Sequence, residues 1–326
     1  MGFDSPDLGL NGLLTDIAVG KIQLPDFQRE WKWDDDRIRS LLASIARGHP
    51  VGVLMMLQVD GDRARFAPKP VAGVDASRTL LPADRLILDG QQRLTSLFQS
   101  LAGSKPVDTT DSRGKRIERH YYIRMLDAIA DDADVEEAII SVPADKLIKD
   151  QFGRSVVADY SSVDRECAAE VFPLSIAFDM PRVFAWQNRY LQVAPEQSAE
   201  RSERWNRFYS RVLDNFVQYT VPTIVLSKDT PKEAVCTIFE KVNTGGVPLN
   251  VFELLTAMFG RRVPPEGRLD RASSDSLEEG CPEGSREHGL PPGHRAAEHP
   301  REAHDPCRGW TWRDAARHRL QAQEHP

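Results

Sequence analysis

The sequence lacks several features that would identify a common class of protein. Its 326 residues contain four scattered cysteines and no Cys-x-x-Cys pair, which argues against a disulfide framework or a zinc cluster. No apolar run reaches the length of a membrane span and no signal pattern begins the chain, so we expect a cytoplasmic protein without membrane contacts. The net charge of −7 gives no global basic surface, so any DNA contact would need a local patch or a partner chain.

Two familiar catalytic arrangements are also missing. The chain has no Gly-x-x-x-x-Gly-Lys-Ser/Thr loop, which excludes an ordinary P-loop NTPase. Only His49 and His120 occur before the C-terminal tail, and they suggest no Ser-His-Asp or Cys-His arrangement. The tail histidines do not have the spacing of paired metal ligands, and compositional bias explains them better.

A strand, a turn and a helix are predicted in succession around Asp89 and Gly90. The short apolar run 86–88 is typical of a buried strand, and Asp-Gly is a turn dipeptide. The apolar residues that follow have the spacing of one helix face: Leu94, Leu97, Phe98 and Leu101. A strand-to-helix turn presents backbone N–H groups and the positive end of a helix dipole, and both attract anions.

Four polar side chains at this turn indicate a phosphate-handling site. Arg93 falls in the first helical turn, where a cation is normally unfavourable, so we expect an anion to be bound there. Asp89 could hold a metal ion or orient a water molecule, and Gln91 or Gln92 could position that water for phosphoryl transfer. The simpler alternative is an ordinary turn whose glutamine and arginine side chains are solvated.

Two further polar clusters are candidates for the same site. Gln28 and Arg29 lie between Phe27 and Trp31 on a segment, residues 22–33, that we expect to be exposed and extended. The second cluster, 243–246, begins with Asn243 and Thr244 and follows a predicted helix that starts at 230–231. A helix C-terminal stop explains this cluster equally well.

The remaining pattern predicts an alternation of helices and strands. Helices are predicted at 8–19, from 34–36 to Gly48, at 196–217 and from residue 250. Strands are predicted at 51–59, 120–126 and 219–226, the last at a sheet edge because of Pro222. Residues 60–84 are expected to form a hairpin or a surface loop, and residues 105–119 a polar loop.

The composition changes abruptly after residue 261. Residues 262–326 contain no Ile, Phe, Met, Tyr or Lys, but eight of the 22 prolines and six of the eight histidines. So few large apolar groups cannot offset the entropy of ordering the chain, which predicts disorder. A further hypothesis is that this tail is the out-of-frame translation of a GC-rich gene.

Three signatures, in this order, resemble a known family. They are the segments 24–33 (LPDFQREWKW), 88–95 (LDGQQRLT) and 239–249 (FEKVNTGGVPL). This looks like the N-terminal domain of GmrSD-type, modification-dependent (type IV) restriction endonucleases. The resemblance implies an α+β fold with a ParB/sulfiredoxin-like core at 1–105, a mixed, largely helical region at 106–228, a helix pair at 229–261 that completes the core, and the disordered tail.

The resemblance also implies a function. In the family, this domain binds and hydrolyses a nucleoside triphosphate and thereby regulates an HNH-type nuclease that acts on modified phage DNA. Side chains of the central motif would contact the phosphates or the attacking water, with Mg²⁺ on Asp89, and the remaining candidates would line the pocket: Gln28, Arg29, Gly90, Asn243 and Thr244.

Several points stay open at this level. The nucleotide could be GTP, UTP, CTP or ATP, and an oligomer is compatible with the sequence. No nuclease pattern is recognised in the tail, so DNA would be reached through a nuclease module or a partner subunit. The alternatives are a non-catalytic nucleotide or DNA sensor, and a truncated, decayed gene product.

Overall fold

The computed structural model describes residues 2–28, 30–31, 33–60, 66–75, 80–150 and 153–242. All of these belong to one structural unit of the chain. The expectations for Arg29, Asn243, Thr244, the helix from residue 250 and the tail lie outside the described residues.

Helices and strands alternate along the described residues. The strands are β1 (Phe3–Asp4), β2 (Asp7–Gly9), β3 (Ile22–Pro25), β4 (Leu54–Gln58), β5 (Pro68–Lys69), β6 (Arg85–Asp89), β7 (Val107–Thr110), β8 (Arg116–Arg124), β9 (Ile139–Pro143), β10 (Leu147–Lys149), β11 (Val156–Asp159), β12 (Val171–Pro173) and β13 (Thr220–Leu226). The helices are α1 (Leu10–Ala18), α2 (Asp35–Ala46), α3 (Gln91–Leu101), α4 (Met125–Ile129), α5 (Val135–Ala138), α6 (Val163–Ala168), α7 (Met180–Val193), α8 (Ser198–Phe208), α9 (Asp214–Val217) and α10 (Lys232–Val242). A π-helical turn, Tyr209–Leu213, joins α8 to α9, and short 3-10 turns occupy Leu174–Ile176 and Pro195–Gln197. This mixed α/β fold agrees with the predicted α+β class, whereas the ParB/sulfiredoxin-like core stays a prediction.

Among the described residues, the main sheet has seven strands, with β6 in its interior. Its order is β1-β13-β4-β6-β3-β5, and β2 also pairs with β13. Strand β6 runs antiparallel to β4 and parallel to β3. The end of β6 and the turn into α3 therefore lie between β3 and β4.

Both faces of β6 are buried, which fixes the turn that follows it. Ile87 packs in the larger core with Leu94 and Leu97 of α3. Leu86 and Leu88 point to the opposite face, as alternation along a strand requires, and join a smaller core with Val235 and Phe239 of α10. A strand packed on both faces leaves the Asp89–Gly90 turn little freedom of orientation.

Two expectations about exposure are wrong. Residues Ile22–Pro25 are not an exposed arm: all four are buried, because β3 lies between β5 and β6. Pro222 does not mark an edge strand, because β13 is flanked by β4 on one side and by β1 and β2 on the other. Pro222 is tolerated since it pairs with the short β2, and the parallel pairing with β4 begins only at Thr223.

The segment 105–119 is not a loop. Strands β7 and β8 form a hairpin there, with Val107 opposite Arg119 and Thr110 opposite Arg116. Strand β8 also pairs with β9 and β12 to complete a four-stranded sheet. None of the helices described here is long and apolar enough to cross a membrane.

Candidate functional site

The turn between β6 and α3 requires glycine at position 90. Gly90 has φ 89° and is the N-cap of α3, and its carbonyl accepts the first helical hydrogen bond, from the Leu94 N–H at 2.9 Å. A Cβ at Gly90 would approach a Leu54 methyl group closer than 3.0 Å. Glycine also provides no capping side chain, and the first turn of α3 has no acidic residue. The positive end of the helix dipole is therefore not offset by a side-chain cap.

Arg93 is compensated by groups of the chain itself. Its Nη1 donates to the Val51 carbonyl at 2.6 Å, and its Nη2 donates to the Val53 carbonyl at 2.9 Å and to Asp89 Oδ2 at 3.0 Å. The Arg93 and Asp89 side chains are 19% and 30% exposed. The negative partner that the sequence leads us to expect at this turn is thus present within the protein, and a direct contact of Arg93 with phosphate stays a prediction.

Tyr219 holds the start of the loop that accepts these hydrogen bonds. The Tyr219 hydroxyl donates to the His49 carbonyl at 2.6 Å and accepts the Val51 N–H at 3.1 Å. Burial raises the pKa of Tyr219, so the hydroxyl stays a donor. Gly52, at φ 93°, allows the close approach of Arg93, since a Cβ there would come within 3.0 Å of Nη1. Backbone carbonyls of a distant loop leave no signal in the sequence.

The structure brings Gln28 to the end of β6. Its side-chain Nε2 donates to the Leu88 carbonyl at 2.8 Å and to the Ile87 carbonyl at 3.3 Å. The Gln28 carbonyl in turn accepts a hydrogen bond from the Lys69 ammonium. Gln28 thereby attaches the first signature to Ile87 and Leu88, the two residues that precede Asp89. Sequence reasoning did not single out Lys69, because it lies in a polar segment without a recognisable motif.

Gln92 connects the first turn of α3 to the same segment. Its Nε2 donates to the Glu30 carbonyl at 3.3 Å. Trp31 Nε1 donates to Ser96 Oγ at 3.0 Å, and Ser96 Oγ donates to the Gln92 carbonyl at 2.8 Å. The described part of segment 28–33 therefore lies across the β6–α3 turn. Gln91, the first residue of α3, is buried beside it.

Helix α10, which carries the first residues of the third signature, packs against the first signature. The Phe239 ring of α10 makes an edge contact with Phe27 at 5.1 Å between centroids. Phe27 also contacts Phe66 in the same geometry at 5.2 Å. The structure thus joins the first two motifs and α10. The positions of Arg29, Asn243 and Thr244 lie outside the described residues.

The donor set around Asp89 suits Mg²⁺ only in part. Among the described residues, no three His, Cys, Asp or Glu side chains are grouped so as to hold a metal ion. Mg²⁺ in nucleotide sites commonly takes one or two carboxylates, with water and substrate phosphates supplying the other ligands. The single Asp89 carboxylate fits that role provided that phosphate oxygens complete the coordination.

The site is a strand-to-helix turn in which a glycine opens a helix that has no side-chain cap, a geometry that can accommodate an anion. Comparison with known proteins places the chain more narrowly. The chain belongs to the family of the GmrSD restriction endonuclease N-terminal domain, whose model matches residues 10–260. This confirms the family expected from the three signatures.

One relative is known only as an uncharacterized protein of Methanocaldococcus jannaschii. It is 26% identical over 256 residues, which cover 76% of this chain and 40% of the relative. The chain therefore spans about two fifths of the length of the curated relative that it matches. Its relatives thus include a protein that is much longer than the matched region.

Proposed function

We propose that this chain binds and hydrolyses a nucleoside triphosphate and regulates a modification-dependent DNA restriction system that acts in phage defence. One observation carries the proposal: α3 begins without a side-chain cap at Gly90, and Gln28, Asp89 and Gln92 are gathered around that start. Family membership supports the link to restriction. DNA cleavage would be supplied by a nuclease module or a partner subunit.

The phosphates would bind at the first turn of α3. Backbone N–H groups at a helix start and the helix dipole favour phosphate oxygens. The Gln91 and Gln92 amides would contact the phosphates or the attacking water. Arg93 adds a fixed positive charge at the same turn, and the Val51 and Val53 carbonyls hold that charge in place. Such preorganised charge is the main protein contribution to phosphoryl transfer.

Asp89 would orient the attacking water or hold Mg²⁺, which when bound would neutralise phosphate charge. The hydrogen bond from Arg93 Nη2 fixes one oxygen of the carboxylate, so its orientation is set before substrate arrives. Gln28, Arg29, Asn243 and Thr244 would line the rest of the pocket. Gln28 is attached to the strand that ends at Asp89, and α10 leads toward Asn243.

Phosphate release from GTP, UTP, CTP and ATP, with Mg²⁺ present, tests this proposal. We expect Asp89→Asn and Arg93→Ala each to lower the rate by about 100-fold or more, the usual cost of removing a charge-stabilising group. Asp164→Asn and Arg37→Gln are matched controls, because each removes one member of another carboxylate–arginine pair. Equal rates in all five proteins, or no nucleotide binding by the wild type, would defeat the proposal.

A nucleotide sensor without turnover is the second candidate. It is favoured because Arg93 already donates to three acceptors of the chain, and because Asp89 is the one carboxylate among residues 89–93. Saturable triphosphate binding that is weakened by Gln92→Ala, together with no phosphate release, would establish this second function in place of the first.

A further inference from the structure

A cleft of about 700 Å³ opens beside Glu30, Trp31 and Trp33 and shares no lining residue with the Asp89–Arg93 turn. Its volume is in the range of small-molecule sites. Its lining includes two tryptophans and two cationic residues: Trp31, Trp33, Lys105 and Arg116. The proposed triphosphate function does not use this cleft.

The two tryptophans are held by the fold. Trp31 Nε1 donates to Ser96 Oγ at 3.0 Å, and the Trp33 carbonyl accepts the Thr109 hydroxyl at 2.7 Å. Both rings are partly buried against the main core. Aromatic rings that are already fixed lose little entropy when a flat ligand packs against them.

The charges of the cleft suit an anion attached to such a ring. Lys105 is exposed at its margin. Arg116 is 81% exposed and pairs with Asp108, which is also exposed, so solvent screens this pair and a phosphate could compete for the guanidinium. Glu30 and Asp108 line the same cleft and offset the two cations, so the cleft does not suit a highly charged ligand, and a ring that carries one anionic group fits it better.

We propose that this cleft binds an unstacked nucleobase together with its phosphate. Tryptophan faces stack on every base, and an adjacent cation that contacts the backbone is the usual companion in single-strand sites. The base could belong to a nucleic acid strand or to a free nucleotide, and the two sources have the same recognition chemistry. This site stands whether or not the Asp89 turn hydrolyses a triphosphate.

The cleft is connected to the proposed triphosphate site through hydrogen bonds. Trp31 contacts Ser96, whose hydroxyl donates to the Gln92 carbonyl, and the Gln92 side chain donates to the Glu30 carbonyl. A base that shifts Trp31 would therefore act on the first turn of α3. This provides a physical route by which an occupied cleft alters the turn.

Fluorescence anisotropy with the full chain tests the proposal. The probes are a labelled single-stranded oligonucleotide, the same strand in a fully paired duplex, and a labelled mononucleotide. We expect Trp33→Leu to weaken binding of the single strand by about tenfold, the usual effect of losing one stacked base. Trp33→Phe keeps a ring and is expected to stay within about threefold of the wild type. Phe184→Leu, at an exposed aromatic on α7, is the control and should change nothing.

Lys105→Gln is a second test, on an exposed residue whose replacement does not threaten the fold. It should weaken the single strand and lower the slope of log affinity against log salt by about one. If Trp33→Leu loses mononucleotide binding but binds the single strand with unchanged affinity, the ligand of this site is a free nucleotide. Two results would overturn the proposal: a wild type that binds none of the probes, or Trp33→Leu and Lys105→Gln variants that both bind like Phe184→Leu.

Discussion

Arg93 Nη2 lies 3.0 Å from Asp89 Oδ2 and 2.9 Å from the Val53 carbonyl oxygen. One side chain therefore joins the end of β6, the start of α3 and the loop that precedes β4. The same guanidinium places positive charge at a helix start, where the dipole disfavours it. Arg93 thus acts as a structural clamp, and its charge is retained at the turn by three acceptors.

The clamp can be measured with a double-mutant cycle at Arg93 and Asp89. We expect Arg93→Gln to lower the free energy of unfolding by about 2–3 kcal/mol, because hydrogen bonds from a charged donor to two carbonyls are lost. Asp89→Asn should cost about 1 kcal/mol or less, and the coupling should also stay below about 1 kcal/mol because the pair is partly exposed. Urea unfolding provides the values. A larger loss of unfolding free energy in Asp89→Asn than in Arg93→Gln would contradict the role of Arg93 as the clamp.

Gly90 and Gly52 provide a test of the geometry around Arg93. Both have positive φ, and a Cβ at either would approach a neighbouring side chain closer than 3.0 Å. Gly90→Ala and Gly52→Ala should each lower stability by about 1–3 kcal/mol. Gly12→Ala is the control, because Gly12 lies inside α1 with open space around it and should gain about 0.5–1 kcal/mol. Unaltered stability in both test variants would show that the turn is not constrained as described.

Alkaline pH should destabilise the helical region around α6. Burial raises the pKa of the Cys167 thiol to about 12 and also raises the pKa values of Tyr122 and Tyr190. A folded-state pKa above the unfolded value gives stability that is complete below the unfolded pKa and is lost as pH rises. We expect the free energy of unfolding to fall from about pH 9 upward, with a shallower slope in Cys167→Ala. A flat profile up to about pH 11 would contradict these shifts.

His120 should make the free energy of unfolding fall at acidic pH, whereas the buried thiol and phenols make it fall at alkaline pH. Burial lowers its pKa, and the nearby Lys146 charge lowers it further. Because the folded state disfavours the protonated imidazole, its contribution is complete above the unfolded pKa, near 6.5, and is lost as pH falls. We expect His120→Gln to weaken the loss of stability between about pH 7 and pH 5.5, with His49→Gln as the matched control. Identical profiles for the two variants would contradict the prediction.

Local signals predict the elements nearest the candidate site. Helix α2 begins where Asp34 accepts the Arg37 N–H, and it is followed by Gly48 at φ 68°. The turn dipeptide Asp89-Gly90 separates β6 from α3 at the predicted residue. Caps, turn residues and helical spacing involve neighbours in sequence, so they can be recognised without the fold.

The remaining features depend on contacts between distant residues. The carbonyls that hold Arg93 belong to Val51 and Val53, some 40 residues away, and every residue has a carbonyl. Burial alternates along β7, but one of its two inward residues is the polar Thr109, so the sequence of this strand shows no apolar–polar alternation. Burial of β3 follows from its neighbours in the sheet and has no local signature.

The central claim, that a nucleoside triphosphate binds at the start of α3, is tested most directly by calorimetric titration. GTP, UTP, CTP and ATP would be titrated with Mg²⁺ into the wild type, Gln92→Ala and Gln192→Ala, the last at an exposed glutamine of α7. We expect at least one triphosphate to bind saturably, with affinity weakened about tenfold or more in Gln92→Ala and unchanged in Gln192→Ala. Absence of binding to the wild type, or equal affinity in all three proteins, would contradict the claim.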